Sequence, residues 1–268
     1  MNLFDITGRV GVVTGAAQGM GKAMATAWAE AGADVVLVDR NAEGLEATAS
    51  DIRALGRRAV PFTCDLADLS QIDLLWAKVD AEFGRVDCVG NVAGDARAGA
   101  PETASIEDLQ FTLQCLVVSK FYMCQHAGKR MLAQGKGSII NIGSLASVSA
   151  LGRGHAFYSM GMGAVVQMTR ELSTEWASGG VRVNAILPAQ VVNPGLQDRM
   201  DADPNLAGRF LSGIPAGRLG TPSDIKGLSI FLASDASPWI TGAIIPMDGG
   251  NLAMNGGGSV RPPVKRHD

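Results

Sequence analysis

A doubly wound α/β domain built on a parallel sheet is the fold class this sequence predicts. Three observations carry the prediction. Short apolar runs recur along the chain, stretches with helical spacing follow them, and the runs are apolar at nearly every position instead of alternating. Strands of that kind are buried on both faces, as in a parallel sheet covered by helices on both sides. Strands alternating with helices build such a sheet through right-handed crossovers.

The elements follow in order. Residues 10–13 form a first strand that ends at Thr14 and Gly15, and a helix over 19–31 stops at Gly32. A strand at 34–39 leads to a helix over 42–55, and a strand at 59–64 leads to a helix over 69–83. The pattern continues with a strand at 86–90, one long helix over 106–132, a strand at 138–142 and a helix over 158–176. A strand at 181–187, an irregular stretch over 188–222, a helix over 223–232 and a strand at 243–247 complete it. That makes seven strands in one domain over residues 1–255, with 188–222 as a loop over the substrate and 256–268 as a C-terminal tail. A loop this long ordinarily carries function.

Composition excludes several classes. The chain has 268 residues, 47% hydrophobic and 18% charged, so it can bury a large core. Its 23 basic and 26 acidic residues leave a net charge of −3, with no basic excess to hold a phosphate backbone, so no nucleic-acid partner is expected. Neither a signal peptide nor a membrane-length apolar run is evident, and a cytoplasmic, membrane-free protein is expected. Cys64, Cys88, Cys115 and Cys124 match no zinc or redox spacing and read as small core residues. His126, His155 and His267 form no metal motif, so no metal is expected.

Thr14-Gly15-Ala16-Ala17-Gln18-Gly19-Met20-Gly21 joins the first strand to the first helix. Glycines there let backbone approach a pyrophosphate, and the helix N-terminus offers free N–H groups to the anion. Asp39 ends the next strand, where a carboxylate accepts from a ribose 2′-OH and repels a 2′-phosphate. NAD is therefore the expected cofactor. Arg40 is the counter-signal, because a guanidinium binds phosphate well.

These residues resemble the short-chain dehydrogenase/reductase family, over nearly the whole chain. The glycine pattern matches residues 14–21; Asp65-Leu66 matches the family's adenine-side Asp; Asn91-Val92-Ala93-Gly94 matches its N-x-A-G. Ser144 follows Asn141-Ile142-Gly143 at the catalytic serine position, and Tyr158 falls on the catalytic tyrosine. Arg182-Val183-Asn184 and Asp248-Gly249-Gly250 also fit. The resemblance implies an NAD-dependent alcohol dehydrogenase or ketone reductase. Tyr158 would be its general acid/base and Ser144 would hold the substrate oxygen. Gly15, Gln18, Gly19, Met20, Gly21, Asp39, Arg40, Asp65, Leu66, Asn91, Ala93, Gly94, Tyr158, Pro188, Val191 and Asn193 would contact the cofactor.

The resemblance breaks at one place above all. The family's Lys, four residues after the Tyr, binds the nicotinamide ribose and lowers the tyrosine pKa; here that position is Met162. A free tyrosine titrates near 10, so about one in a thousand is phenolate at pH 7. A cation one helical turn away would raise that fraction, and a thioether cannot. Impaired turnover is expected, whether the change is inherited or introduced. Leu116 stands where an Asn usually supports a water relay, with Gln114 and Ser119 as nearby substitutes. Pro188-Ala189 replaces a Pro-Gly, and Asn193 replaces a Thr that meets the carboxamide.

Two other readings stay open: an NAD-binding relative with weak or no chemistry, acting as a sensor or structural subunit, and a non-redox lyase. The lyase would need an Arg at 162 and no nucleotide site, and the chain shows neither. The expected substrate is a small secondary alcohol or ketone. Its wall would be mostly apolar (Ala146, Val148, Leu151, Val192, Leu196 and Met200), with Arg153 and His155 as exceptions and no paired basic cluster. The resemblance also implies a homodimer or homotetramer, with Leu113, Val117, Phe121, Met160, Val165 and Met168 as candidate contacts.

Overall fold

The computed structural model describes residues 3–254, so the tail expected over 256–268 lies outside the described residues. Seven strands form one sheet: β1 (Val10–Thr14), β2 (Asp34–Asp39), β3 (Ala59–Thr63), β4 (Cys88–Asn91), β5 (Gly137–Ile142), β6 (Val181–Pro188) and β7 (Ile244–Met247). Their order is β3-β2-β1-β4-β5-β6-β7, and every pair is parallel. The order reverses between β1 and β4. In open sheets of this kind the crevice at that reversal, beyond the strand carboxyl ends, is where ligands bind.

The apolar runs form strands because both of their faces are covered. Val13, Leu37 and Ile140 join one core cluster, and their chain neighbours Val12, Val36 and Ile139 join another. Successive side chains point to opposite faces, so both members of each pair must be apolar. On the first face Trp28 of α1 (Gly19–Glu30), Leu45 and Ile52 of α2 (Ala42–Ala54) and Leu232 of α9 (Ile225–Ala233) pack on the sheet. On the second face lie Trp76 of α3 (Leu69–Phe83), Met123 and Ala127 of α5 (Ser119–Gln134) and Leu172 of α6 (Ala156–Trp176). Capping fixes where helices begin. The Asp68 side chain accepts from the Ser70 N–H, and Ser105 accepts from the Asp108 N–H, each worth about 1 kcal/mol.

The R-V-N motif ties the last strand down. Arg182 donates to the carbonyls of Leu232 (2.7 Å) and Ser234 (3.2 Å), and Asn184 donates to Ile240 (2.9 Å) while accepting from the Ala243 N–H (3.0 Å).

Three expectations need correction. The helix expected as one piece over 106–132 is α4 (Ile106–Leu113), a π-helical turn (Gln114–Val118) and α5. The fourth strand begins at Cys88, because the Val86 N–H is taken by Gln134 Oε1 (3.1 Å) outside the ladder. The stretch 188–222 contains α7 (Pro194–Ala202) and α8 (Leu206–Leu211). Its start signals were in the sequence: Asn193 caps α7 and Pro194 occupies its first turn. The amphipathic signal is short, since within these two helices only Leu196, Leu206 and Phe210 are buried, in a small cluster of their own. All four cysteines are free thiols, and no helix among the described residues is long and apolar enough to cross a membrane.

Candidate active site

The nucleotide end lies at the carboxyl ends of β1, β2 and β4. A cleft of about 370 Å³ is lined there by Gly15, Gln18, Gly19, Met20, Gly21, Asp39, Arg40, Asp65, Leu66, Ala93 and Gly94. All of these were expected contacts. Helix α1 opens on an extended Gln18 whose side chain caps nothing, which leaves the first-turn N–H groups directed at the cleft. Only glycine serves at Gly21: a Cβ there would sit 2.0 Å from the Gly15 carbonyl oxygen. Asp39 Oδ2 accepts from the Ala17 N–H (3.2 Å) and Oδ1 from the Asn41 N–H (3.1 Å), so the loop itself holds the carboxylate. These features fit a dinucleotide: a bare-backbone turn, unspent helix donors and a fixed carboxylate. Arg40 reaches across to Asp95 at 3.5 Å. Asp39, Asp65 and Asp95 therefore outnumber the single cation lining this cleft.

The two residues expected to carry the chemistry lie beyond β5. Ser144 caps a short turn at Leu145–Ser147, with its Oγ accepting from the Ala146 N–H at 3.2 Å. Tyr158 stands in the first turn of α6 and lines the same cleft as Ser144. Burial pushes the Tyr158 pKa above its ordinary value, and the neighbouring Ser144 side chain only partly opposes this. No cation contributes. Met162, one turn further along α6, is 7% exposed and brings no charge. The His155 ring lies edge-on to Tyr158 at 6.2 Å, and its Nδ1–H donates to the carbonyls of Gly152 (3.0 Å) and Arg153 (2.8 Å).

Pro188, Val191, Asn193, Ser144 and Tyr158 line a second cleft of about 550 Å³, and Asn193 lines both clefts. The Asn193 side chain also caps α7, accepting from the Leu196 N–H at 3.0 Å. Two expected residues sit elsewhere. Asn91 turns its amide into the sheet, donating to Asn141 Oδ1 at 2.9 Å, and it does not line the nucleotide cleft. Met162 lines neither cleft. The substitutes considered for the family's relay Asn are committed to other bonds: Gln114 donates to the Ala67 carbonyl (2.9 Å) and Ser119 to the Cys115 carbonyl (2.7 Å).

The expected substrate wall needs correction as well. Leu151 and Leu196 do line the second cleft, but Ala146 and Val148 line a neighbouring groove, and Val192 and Met200 line neither. Arg97 and Arg199 join Arg153 and His155 around the cleft. A basic cluster therefore exists where the sequence showed none, because three separate segments contribute one arginine each.

One residue escaped sequence reasoning altogether. Lys120 on α5 is 3% exposed, and its Nζ donates to the carbonyls of Asn91 (3.0 Å) and Ala93 (2.6 Å). Burial lowers its pKa to about 8. The ammonium thus clamps the N-x-A-G turn from beneath the nucleotide cleft. A lone Lys within Val117-Val118-Ser119-Lys120-Phe121 was the available signal; on a helix it reads as a solvated face, and only the tertiary fold buries it.

A nucleotide crevice at the sheet's reversal point, joined to a Ser-Tyr pair at the head of a long helix, defines a nicotinamide-dependent oxidoreductase of the short-chain type. A family model described as enoyl-(acyl carrier protein) reductase matches residues 15–251. The chain is similar to D-threitol dehydrogenase of Mycolicibacterium smegmatis, 40% identical over 92% of this chain and 94% of the relative. It is similar also to 2-dehydro-3-deoxy-D-gluconate 5-dehydrogenase of Escherichia coli, 37% identical over 94% and 99% of the two chains. Among solved structures, a gluconate 5-dehydrogenase from Burkholderia cenocepacia in complex with NADP and tartrate superposes with a TM-score of 0.89 at 30% identity, over 95% and 99% of the two chains. The protein belongs to the short-chain dehydrogenase/reductase family and is an enzyme of alcohol dehydrogenase type.

Proposed function

We propose that this enzyme interconverts a secondary alcohol and its ketone with NAD(H). Tyr158 would exchange the proton with the substrate oxygen, and Ser144 would hold that oxygen. The observation that carries the reading is the pairing of Tyr158 and Ser144 in one cleft that shares Asn193 with the nucleotide crevice. When bound, the nicotinamide donates or accepts the hydride. The residues at 15–21, with Asp39 and Asp65, would hold the dinucleotide. Three carboxylates beside one already paired arginine favour NAD over a cofactor with a 2′-phosphate, although the Burkholderia neighbour holds NADP.

Proton chemistry here is asymmetric. At neutral pH Tyr158 is a phenol, so it can donate a proton to a nascent alkoxide during ketone reduction. Alcohol oxidation needs the phenolate, which burial disfavours and Met162 does nothing to restore. Reduction is the direction this site supports near pH 7, at a turnover reduced about 10²- to 10⁴-fold by the missing tuning. Loss of NADH with a ketone panel, with Tyr158→Phe alongside, tests this: the variant should fall to background, and an equally active variant overturns the assignment.

The buried Met162 also favours a second reading, an NAD-binding relative with weak or no turnover, acting as a sensor or structural subunit. NADH binding without turnover by either this chain or Met162→Lys would select it.

A single domain over residues 1–255, with α7 and α8 as a lid in 188–222, is part of the same proposal, as are a cytoplasmic location and a homodimer or homotetramer. Phe121 and Met160 are exposed on α5 and α6 as such contacts require; Val165 is fully buried within the protomer and cannot take part.

A further inference from the structure

We propose that the cleft beside Tyr158 selects substrates that carry an anionic group away from the reacting carbon, held by Arg153 and Arg199. The inference rests on the oxidoreductase reading and names its substrate class. Its observation is the charge of the wall: Arg97, Arg153, Arg199 and His155 line the cleft, and no aspartate or glutamate does.

The three arginines are not equivalent. Arg97 is engaged, 3.6 Å from Asp108 and stacked 4.6 Å over the Phe111 ring. Arg153 and Arg199 make no ion pair among the described residues. Arg153 has only a ring beneath it, its guanidinium 5.5 Å from the centre of Phe210 on α8. Guanidinium forks on an apolar platform bind carboxylates, sulfonates and phosphates through paired N–H donors.

The backbone under Arg153 is costly to hold. Among the described residues it is the one non-glycine position with a positive φ, at 58°. It stands between Gly152 and Gly154, both also left-handed. The turn is pinned to the opposite wall, where the Gly99 N–H donates to the Gly154 carbonyl at 3.0 Å. Strain of this kind persists where surrounding structure fixes it and is concentrated at ligand sites. Here it places a guanidinium at the cleft wall just before Tyr158. Arg199 approaches from α7, so an anion bridging Arg153 and Arg199 would also draw the lid onto the cleft.

The test compares short hydroxy acids, and their keto acids, with uncharged diols and ketones of equal length. In the wild-type enzyme the acids should have the higher kcat/KM. Arg153→Ala and Arg199→Ala should each collapse that preference about 10- to 100-fold, and Arg→Lys at either site should restore part of it. A binding readout accompanies the kinetics: malonate, methanesulfonate and inorganic phosphate are titrated by calorimetry with and without NADH, and the tightest binder identifies the kind of anion. An acid preference untouched by both alanine variants, or malonate, methanesulfonate and phosphate all failing to bind the wild-type protein, overturns the inference. Anion binding lost in the variants, with no turnover of any substrate, supports this site and overturns the oxidoreductase reading instead. Circular dichroism and melting of each variant show that the fold is intact.

Discussion

Lys120 Nζ donates to the carbonyl oxygen of Ala93 at 2.6 Å, on the underside of the turn whose upper side lines the nucleotide cleft. The bond sets a buried cation directly below the turn that lines this cleft, in a protein that has Met162 and no lysine one turn after Tyr158. It does not replace that lysine in tuning Tyr158, since only burial and Ser144 move the tyrosine. Its effect is on the turn, whose two carbonyls it satisfies.

The first prediction concerns stability. In the folded protein Lys120 titrates near 8, against an ordinary 10.5. Below about pH 8 both states carry the charge, and its burial costs the folded state in full. Between those values the unfolded chain keeps a proton that the native one has released, so this group makes stability rise with pH. The unfolding free energy of wild type relative to Lys120→Met should therefore climb by up to about 3 kcal/mol from pH 8 to 10.5. Denaturant titrations of both proteins across that range measure it, and a constant difference would contradict it.

Restoring the missing cation should change the pH dependence of oxidation. Met162→Lys places an ammonium one turn from Tyr158, which stabilises the phenolate. The rise of alcohol oxidation with pH should move to lower pH, and the rate at pH 7 should increase about 10²-fold or more. Initial rates from pH 6 to 11 check this; superimposable profiles for the two proteins would show that the tyrosine proton does not limit the reaction.

Asp39 should govern the choice of cofactor. Asp39→Ser removes the carboxylate that faces a 2′-phosphate and keeps a short acceptor for the Ala17 N–H. The NAD-to-NADP ratio of kcat/KM should fall about tenfold or more. An unchanged ratio would shift the discrimination to Arg40 or Asp95.

How much could be read from the sequence depended on how local each feature is. The strand runs were legible because burial on both faces leaves a period-free apolar signal, as in Asp34–Asp39. Gly21 and Asp39 were legible because each has a fixed place in one strand–turn–helix–strand unit, the glycine opening the helix and the aspartate ending the next strand. Arg97, Arg153 and Arg199 were each visible, yet nothing in their separation says that they meet at one cleft. Lys120 was hidden for the same reason: a helix surface becomes an interior only once β4 and α6 pack around it. The place of Asn91 in the N-x-A-G motif likewise said nothing of an amide turned toward Asn141.

The central claim is that the turn at Gly15–Gly21 receives NAD(H) in preference to its phosphorylated counterpart. Isothermal titration with NADH and NADPH, on wild type and Gly21→Ala, tests it most directly. The account predicts NADH binding at least about tenfold tighter than NADPH, lost in the variant while its circular dichroism spectrum is kept. Tighter NADPH binding, no binding of either cofactor, or a Gly21→Ala protein that binds as well as wild type would contradict it.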